Sequence, residues 1–245
     1  SLLCVALITT GVEAASPGET GALDILFIGN SYTGNLRDLF NRFMAEAFPG
    51  SHLAYRTPGG WTLSRHVADP GVKEAITSRT WDYVVLQEQS RLPTFDPKSA
   101  MYREHRQAIR TLVEWISASG AAPILYETWG RRDGDGGSPK RSPDFDAMQV
   151  HLTRAYADAA RETGARVIPV GQAWQAVRRT DIELGRALHA KDGSHASPKG
   201  SYLIAATFLH GLAKTDAATL HPPPGLTEQE TTTIDNAITQ TLSLN

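Results

Sequence analysis

The segment 24–33, DILFIGNSYT, places an apolar run directly before a small polar turn that presents a serine. Residues 25–28 are bulky and bounded by polar residues, which is the pattern of a strand buried on both faces of a parallel sheet. A Gly-Asn pair ends the run, and helical residues follow over about 36–48. Ser31 therefore lies at a strand-to-helix turn, where backbone N–H groups favour developing negative charge. This is a position for an acyl-transfer nucleophile, although a serine that only caps the helix fits the same pattern.

A second informative segment lies near the other end of the chain, where Asp192 and His195 stand three residues apart. On one tight loop this spacing lets the carboxylate reach the imidazole, fix its tautomer and stabilise the imidazolium that forms when histidine takes a serine proton. Pro198 suits the first turn of a helix that is predicted over about 200–212. A D-x-x-H segment alone is a weak indication, but together with the Ser31 turn it favours a Ser-His-Asp relay.

The two segments carry a resemblance to a known superfamily. FIGNSYT resembles the first block of the SGNH, or GDSL-type, hydrolases, with Asn30 where many members have aspartate, and DGSH resembles their final D-x-x-H block. In TPGGWTL, Gly59 and Gly60 resemble the second block, in which a glycine N–H joins the oxyanion hole. The match spans nearly the whole chain, from Asp24 to Leu212. GNSYT, GGWTL followed by His66, and LQEQS together resemble a bacterial branch of that superfamily.

The third block departs from the superfamily pattern. Members usually have G-x-N-D after the third strand, with the asparagine side chain as an oxyanion donor, whereas here LQEQS ends the predicted strand. When the leucine is aligned with the last strand residue, Gln89 takes the asparagine position and keeps an amide that is one methylene longer. Gln87 is the competing choice. For either glutamine, an amide that satisfies loop backbone at the strand end is an equally good interpretation.

The resemblance implies an acyl-transfer mechanism that the residue chemistry also supports. Ser31 attacks an ester carbonyl, His195 accepts and returns the proton, and Asp192 orients the imidazole. The groups expected to bind the oxyanion are a backbone amide of the nucleophile, a glycine amide and a side-chain amide, namely Ser31, Gly59 or Gly60, and Gln89 or Gln87.

Alternating strands and helices predict a parallel sheet covered on both faces. The predicted strands are 24–28, 52–56, 83–86, 123–126 and 167–168. Helical periodicity predicts helices over 98–118 and 145–162, and a last helix over 227–242 that packs on the outside. Together with the resemblance, this gives an α/β fold class: a three-layer α/β/α sandwich with a parallel five-stranded sheet, the flavodoxin-like SGNH hydrolase fold.

Length, charge and motifs limit the function further. The 245 residues, 41% of them hydrophobic and without an internal repeat, suit one domain, which is expected over 21–245. A net charge of −2 without a long basic run argues against a nucleic-acid surface. The sequence has no phosphate loop and no dinucleotide fingerprint, so no cofactor is expected. The histidines show no metal-ligand spacing, so no metal is expected.

The first fifteen residues form an apolar stretch with small residues near its end. This pattern is typical of the hydrophobic region and cleavage zone of a signal peptide, so 1–20 is interpreted as a signal-peptide remnant and linker. A hydrophobic element of the fold is the alternative. Cys4, the single cysteine of the chain, lies in this stretch, so no disulfide is expected after cleavage. The predicted location is secreted or periplasmic, with no stable membrane insertion after signal cleavage.

Three further residues are predicted to contact substrate, because ligands bind outside the carboxyl ends of parallel strands. They are Tyr32, next to the nucleophile, and Glu127 and Trp129, after the fourth predicted strand. Trp129 could stack on a sugar ring or plug the base of the loop, and Glu127 could order neighbouring loops instead. The segment 131–143 is rich in Gly, Pro and charge and has no apolar anchor, so it is predicted to be a mobile surface loop beside the substrate.

Three function classes fit these residues. The first is a secreted serine esterase that removes a short acyl group, acetyl above all, from a carbohydrate through an acyl-enzyme. The second is a lipase, thioesterase or polyester hydrolase that uses the same serine, histidine and aspartate. The third is a non-catalytic carbohydrate-binding relative, which the altered third block prompts. The partner is then an ester of a small molecule or a polysaccharide, and fold analogy alone does not name it.

Overall fold

The computed structural model describes residues 21–213 and 220–244. The predicted signal-peptide remnant and linker over 1–20, with Cys4, lies outside the described residues. Within the described residues, no helix combines the length and the apolar character that crossing a bilayer requires.

Five parallel strands form the sheet at the centre of the molecule, in the order β2-β1-β3-β4-β5. The strand that precedes Ser31 is β1, and it lies between β2 and β3. The α/β fold class with a parallel five-stranded sheet is therefore confirmed. The strands are β1 Asp24–Ile28, β2 His52–Arg56, β3 Tyr83–Leu86, β4 Ala122–Tyr126 and β5 Arg166–Ile168.

Helices connect and cover the strands. The stretch predicted as one helix over 36–48 is a short helix at the serine followed by a longer one, and the stretches 63–77 and 170–187 contain helices that were not predicted. Gly164 ends α6 in the left-handed conformation, with φ of 75°. The helices are α1 Ser31–Gly34, α2 Arg37–Ala47, α3 Leu63–Ala68, α4 Pro70–Thr77, α5 Ala100–Ala118, α6 Phe145–Thr163, α7 Val170–Thr180, α8 Ile182–Ala187, α9 Pro198–Ala213 and α10 Glu228–Ser243, with a 3-10 turn at Leu92–Thr94.

The core lies on both faces of the sheet, as the continuous apolar run of β1 predicted. Ile25 and Phe27 point into one cluster, which α2, α7, α9 and α10 cover, and Leu26 and Ile28 point into the other, which α3 to α6 cover. The last helix is more than an outer cover, since Ile234 of α10 is fully buried in the first cluster. The two covered faces make the molecule a three-layer sandwich.

Glu127, the residue after β4, is buried where a substrate contact was predicted. The residue is 1% exposed, and its carboxylate accepts hydrogen bonds from Gln149, Thr153 and Gln172 at 2.7 to 2.9 Å. These donors belong to α6 and α7, so the carboxylate joins two helices to the end of a strand. The expected substrate contact does not hold, because almost no surface of the side chain is left to make one. The position is that of a residue that orders neighbouring elements.

Burial is also the main influence on the pKa of Glu127, and it raises this pKa from 4.5 to about 7 although three hydrogen bonds act in the opposite direction. The folded chain therefore retains the Glu127 proton between about pH 5 and pH 7, where the unfolded chain has lost it. The free energy of unfolding falls as the pH rises through this window, because proton release is easier in the unfolded state.

Replacing this carboxyl should remove that part of the pH dependence. Urea unfolding at pH 5 and pH 8 is expected to give a decrease in the free energy of unfolding that is larger in the wild type than in Glu127→Gln, by on the order of 3 kcal/mol. Glu183→Gln, at an exposed position on α8, is the matched control and should follow the wild type. Equal decreases in the wild type and Glu127→Gln would contradict this interpretation.

Candidate active site

The turn after β1 presents Ser31 without using it as a helix cap. Asn30 is the N-cap of α1, with extended backbone, and its side-chain oxygen accepts a hydrogen bond from the Tyr32 N–H at 3.1 Å. The Asn30 amide also donates to the Trp61 carbonyl at 2.9 Å. Ser31 is therefore the first residue of the helix, and its hydroxyl is free for another partner. The capping interpretation of this serine is wrong.

That partner is a histidine from the other end of the chain. Ser31 Oγ lies 2.9 Å from His195 Nε2, and His195 Nδ1 lies 2.6 Å from Asp192 Oδ2. The second carboxylate oxygen of Asp192 accepts the backbone N–H groups of Ser194 and His195 at 2.9 and 3.0 Å. The structure thus brings the three predicted relay residues together in one line of hydrogen bonds.

The charge state of Asp192 determines which group donates and which accepts in each of these hydrogen bonds. Partial burial opposes ionisation, but the hydrogen bonds from the His195 ring and from two backbone N–H groups lower the pKa of Asp192 to about 2. The ionised carboxylate accepts a hydrogen bond from the N–H at His195 Nδ1, so the lone pair of Nε2 faces the Ser31 hydroxyl. This is the tautomer that a general base for a serine requires.

Tyr32 and Trp129 hold the histidine loop instead of lining the cleft. Trp129 Nε1 donates to the Ser194 carbonyl at 2.9 Å, and the Tyr32 hydroxyl lies 2.6 Å from Ser194 Oγ. The Tyr32 ring stacks on Trp129 with centroids 4.7 Å apart and meets the His195 ring edge to face at 5.2 Å. Trp129 stacks in turn on Trp174. Tyr32 is 4% exposed and Trp129 is fully buried, so the predicted substrate contacts of both are corrected to support of the loop.

The loop 131–143 has polar anchors in place of apolar ones. Asp135 is buried, accepts Arg91 Nε at 2.8 Å and donates its N–H to the Ser142 carbonyl at 2.9 Å. The Arg132 N–H donates to the Gly193 carbonyl at 2.8 Å, which ties this loop to the one that carries His195. The expectation of an unanchored loop is thus corrected, because a buried carboxylate holds it.

Gly59 and Gly60 form an exposed turn after β2. The Trp61 N–H donates to the Pro58 carbonyl at 3.2 Å, and Gly60 has φ of 71°, a conformation that side chains disfavour. A Cβ atom at Gly59 would meet no atom within 4 Å. Among the described residues, neither glycine N–H has an acceptor. The space beside Gly59 is open and these N–H groups are unused. Their role in the oxyanion hole therefore stays a prediction.

The structure separates the two glutamines of the third block. Gln87 is fully buried, and its side-chain oxygen accepts from the Asn30 N–H at 2.9 Å and from the N–H and hydroxyl of Thr33 at 3.2 and 2.9 Å. Its amide nitrogen donates to the Glu88 carbonyl. Gln87 therefore fixes the nucleophile turn, and its prediction as an alternative oxyanion donor does not hold because the amide is already used.

Gln89 is half-buried, and its side-chain oxygen accepts the Arg91 N–H at 2.8 Å. This bond orients the amide, and no acceptor for its nitrogen is found among the described residues. The position of Gln89 as the side-chain donor stays a prediction.

Glu88, between these glutamines, is a buried residue that sequence reasoning missed. Its carboxylate accepts the N–H of Leu63 at 3.0 Å, the N–H of Gln89 at 2.6 Å and His105 Nδ1 at 2.9 Å. It thus joins the start of α3, which follows the Gly59 turn, to the Gln89 loop and to α5. The sequence feature that could have indicated this burial is a glutamate between two glutamines, directly after an apolar strand.

His66 is buried beside these residues and does not reach the cleft. Its Nε2 lies 2.8 Å from the Gly29 carbonyl, and its ring packs against Trp61. Across residues 21–213 and 220–244, no three His, Cys, Asp or Glu side chains are grouped as a metal site would require.

Comparison with protein-family models gives no match for this chain, and comparison with curated proteins gives none either. Solved structures do match. A DUF4886 family protein from Bacteroides uniformis has a TM-score of 0.75 at 20% identity, over 91% of this chain and 95% of that one. A proposed SGNH hydrolase from Slackia heliotrinireducens has a TM-score of 0.62 at 29% identity, over 79% and 98%. An acetylxylan esterase from Geobacillus stearothermophilus has a TM-score of 0.58 at 20% identity, over 77% and 93%.

These neighbours share the parallel sheet and its helical layers with this chain over most of their own length. The resemblance that the FIGNSYT and DGSH segments indicated is thereby confirmed at the level of structure, and the chain has the fold of the SGNH hydrolases.

Proposed function

We propose that this protein is a serine ester hydrolase. The observation that carries the proposal is the line of hydrogen bonds from Ser31 through His195 to Asp192, at 2.9 and 2.6 Å. The three residues come from two distant segments, and two of them lie on the loop that Tyr32 and Trp129 support. A serine, a neutral imidazole and an ionised carboxylate in this order are the components that acyl transfer needs.

The reaction follows from the positions of the protons. Ser31 Oγ attacks the ester carbonyl carbon while its proton passes to His195 Nε2, and the ester C–O bond breaks as His195 returns this proton to the leaving alcohol oxygen. Water then attacks the acyl carbon and gives a proton to His195. The bond between that carbon and Ser31 Oγ breaks as His195 returns the proton to Ser31 Oγ, and the acid leaves. Asp192 stabilises the imidazolium in both halves of the reaction through the hydrogen bond to Nδ1.

The negative charge on the tetrahedral intermediate needs donors placed beforehand. We assign this role to the Ser31 N–H, to one N–H of the Gly59–Gly60 turn and to the Gln89 amide. Two observations support this assignment: the glycine N–H groups have no acceptor among the described residues, and Gln89 is oriented through its oxygen. Loss of one such donor typically costs on the order of 3 kcal/mol in the barrier.

We further propose that the substrate is a short acyl ester, acetyl above all, on a carbohydrate. The side chains of His195 and Asp192 are 38% and 51% exposed, so the site is open to a large soluble molecule. A long acyl chain needs buried apolar surface for binding, whereas the exposed Gly59–Gly60 turn presents only backbone. Acetylxylan esterases occur among the structural neighbours. The apolar stretch 1–15 supports a secreted or periplasmic location.

Hydrolysis of p-nitrophenyl acetate tests the relay. Ser31→Ala and His195→Ala are each expected to reduce kcat by about 10⁴-fold or more. The first removes the nucleophile, and the second removes the group that accepts and returns the proton. Ser78→Ala and His221→Ala, at exposed positions, are the matched controls and should retain wild-type rates. A fluorophosphonate probe should label the wild type but not Ser31→Ala. A folded wild type that neither hydrolyses the ester nor reacts with the probe would favour the non-catalytic carbohydrate-binding alternative.

The third block gives a separate prediction. Gln89→Ala should lower kcat for p-nitrophenyl acetate by about 10²-fold with little change in KM, because an oxyanion donor acts in the transition state. Gln229→Ala, at an exposed position on α10, is the control. Gln87→Ala should mainly lower the melting temperature, since it leaves buried N–H groups of the nucleophile turn without an acceptor. Unchanged kcat in Gln89→Ala would remove this residue from the oxyanion hole.

The acyl preference is tested with p-nitrophenyl esters of increasing length. We expect kcat/KM to be highest for acetate and to fall at least about tenfold by octanoate, because the exposed Gly59–Gly60 turn presents backbone instead of apolar side chains to a longer chain. The wild type, and not Ser31→Ala, should also release acetate from acetylated xylan. A rise in kcat/KM toward octanoate would replace the acetyl proposal by a lipase or thioesterase activity of the same relay.

A further inference from the structure

A cleft of about 630 Å³ opens between α5, α6 and the loops that follow β3 and β4. Its size is within the range of small-molecule binding sites. It is separate from the relay, since neither Ser31, His195 nor Asp192 lines it. Its walls carry five arginines: Arg103, Arg106 and Arg110 from α5, Arg154 from α6 and Arg141 from the loop 131–143.

These positive charges exceed the negative ones around them. Asp158 and Glu162 are the two carboxylates of the lining, so the cleft has an excess of three positive charges in a chain with net charge −2. Glu162 is already shared by Arg106 and Arg110. Asp158 pairs with Arg161, outside the cleft, and lies 3.9 Å from Arg154. A concave surface with an excess of one sign of charge attracts ligands of the opposite charge.

Two of the arginines have no carboxylate partner in the described part of the chain. Arg103 is exposed and forms no ion pair there. Arg141 donates from Nε to the Thr94 carbonyl, and its Nη2 lies 3.5 Å from Nδ1 of His151. The opposite nitrogen of His151 donates to the Arg141 carbonyl at 3.1 Å. The charges of Arg103 and Arg141 are therefore uncompensated, and they stand on different walls, one on α5 and one on a loop.

We propose that this cleft binds an oligoanion, a ligand that carries two or more carboxylate or phosphate groups. A guanidinium presents parallel N–H donors that match the two oxygens of either group. The uncompensated arginines stand on separate walls, so a ligand with two or more anionic groups can pair with both of them. Acidic oligosaccharides and oligophosphates share this chemistry. The proposal does not depend on ester hydrolysis, since binding is measured directly.

Calorimetric titration of the purified protein at low ionic strength tests the proposal with trigalacturonate and with tripolyphosphate. At least one is expected to bind with one-to-one stoichiometry and to weaken as salt is added. The double variant Arg103→Gln, Arg154→Gln should weaken binding by about tenfold or more, because it removes two guanidiniums from the cleft. Both positions are exposed, so the fold should be retained. Arg179→Gln, at an exposed position on α7 outside the cleft, is the control and should bind like the wild type.

The nuclear magnetic resonance signals of the histidine rings locate the bound ligand. The signals of His151 should shift on titration while those of His52, on β2, stay unchanged. Binding of trigalacturonate alone would identify an acidic oligosaccharide, binding of tripolyphosphate alone a phosphate ligand, and binding of both a site for oxyanions in general. Three results would overturn the proposal: no binding at millimolar ligand, equal weakening in Arg179→Gln, or shifts at His195 without shifts at His151.

Discussion

The hydrogen bond between Ser31 and His195 is the interaction on which the rest of the site depends. Residues of other elements hold both side chains in place. Gln87, at the end of β3, accepts hydrogen bonds from the turn that carries the serine. Trp129, after β4, donates to the loop that carries the histidine. Because the carboxyl ends of parallel strands meet at one edge, residues separated by 164 positions come into contact there.

Buried polar side chains give this edge a single geometry. Gln87, Glu88 and Glu127 are each 0 to 1% exposed, and each accepts three hydrogen bonds, at least two of them from other elements or loops. A buried acceptor that loses its donors costs about 1–3 kcal/mol, so loop arrangements that separate these pairs are disfavoured. The surface above them stays open at Gly60 and His195, where a substrate would bind.

Local sequence patterns predicted most of the fold and part of the site. The five strands lie within one residue of their predicted ends, because β-branched and bulky runs bounded by polar residues are a local signal. Ser31 and the D-x-x-H segment could be predicted for the same reason, because each is a short local pattern. The burial of Glu127 and Trp129 could not be predicted in this way. A polar or aromatic residue after a strand gives the same sequence pattern whether its side chain faces the cleft or the core. The contact of Glu88 with His105 is made between elements, and α8 is only six residues long, too short for periodicity to be recognised.

A crystal structure of the protein after reaction with diethyl p-nitrophenyl phosphate tests most directly whether Ser31 is the nucleophile. We predict a phosphoryl group bonded to Ser31 Oγ, with its free oxygen directed at the Ser31 N–H, the Gly59–Gly60 turn and the Gln89 amide, and with His195 still paired to Asp192. A phosphoryl group on another residue, or an unmodified Ser31 in a protein that hydrolyses esters, would contradict this prediction.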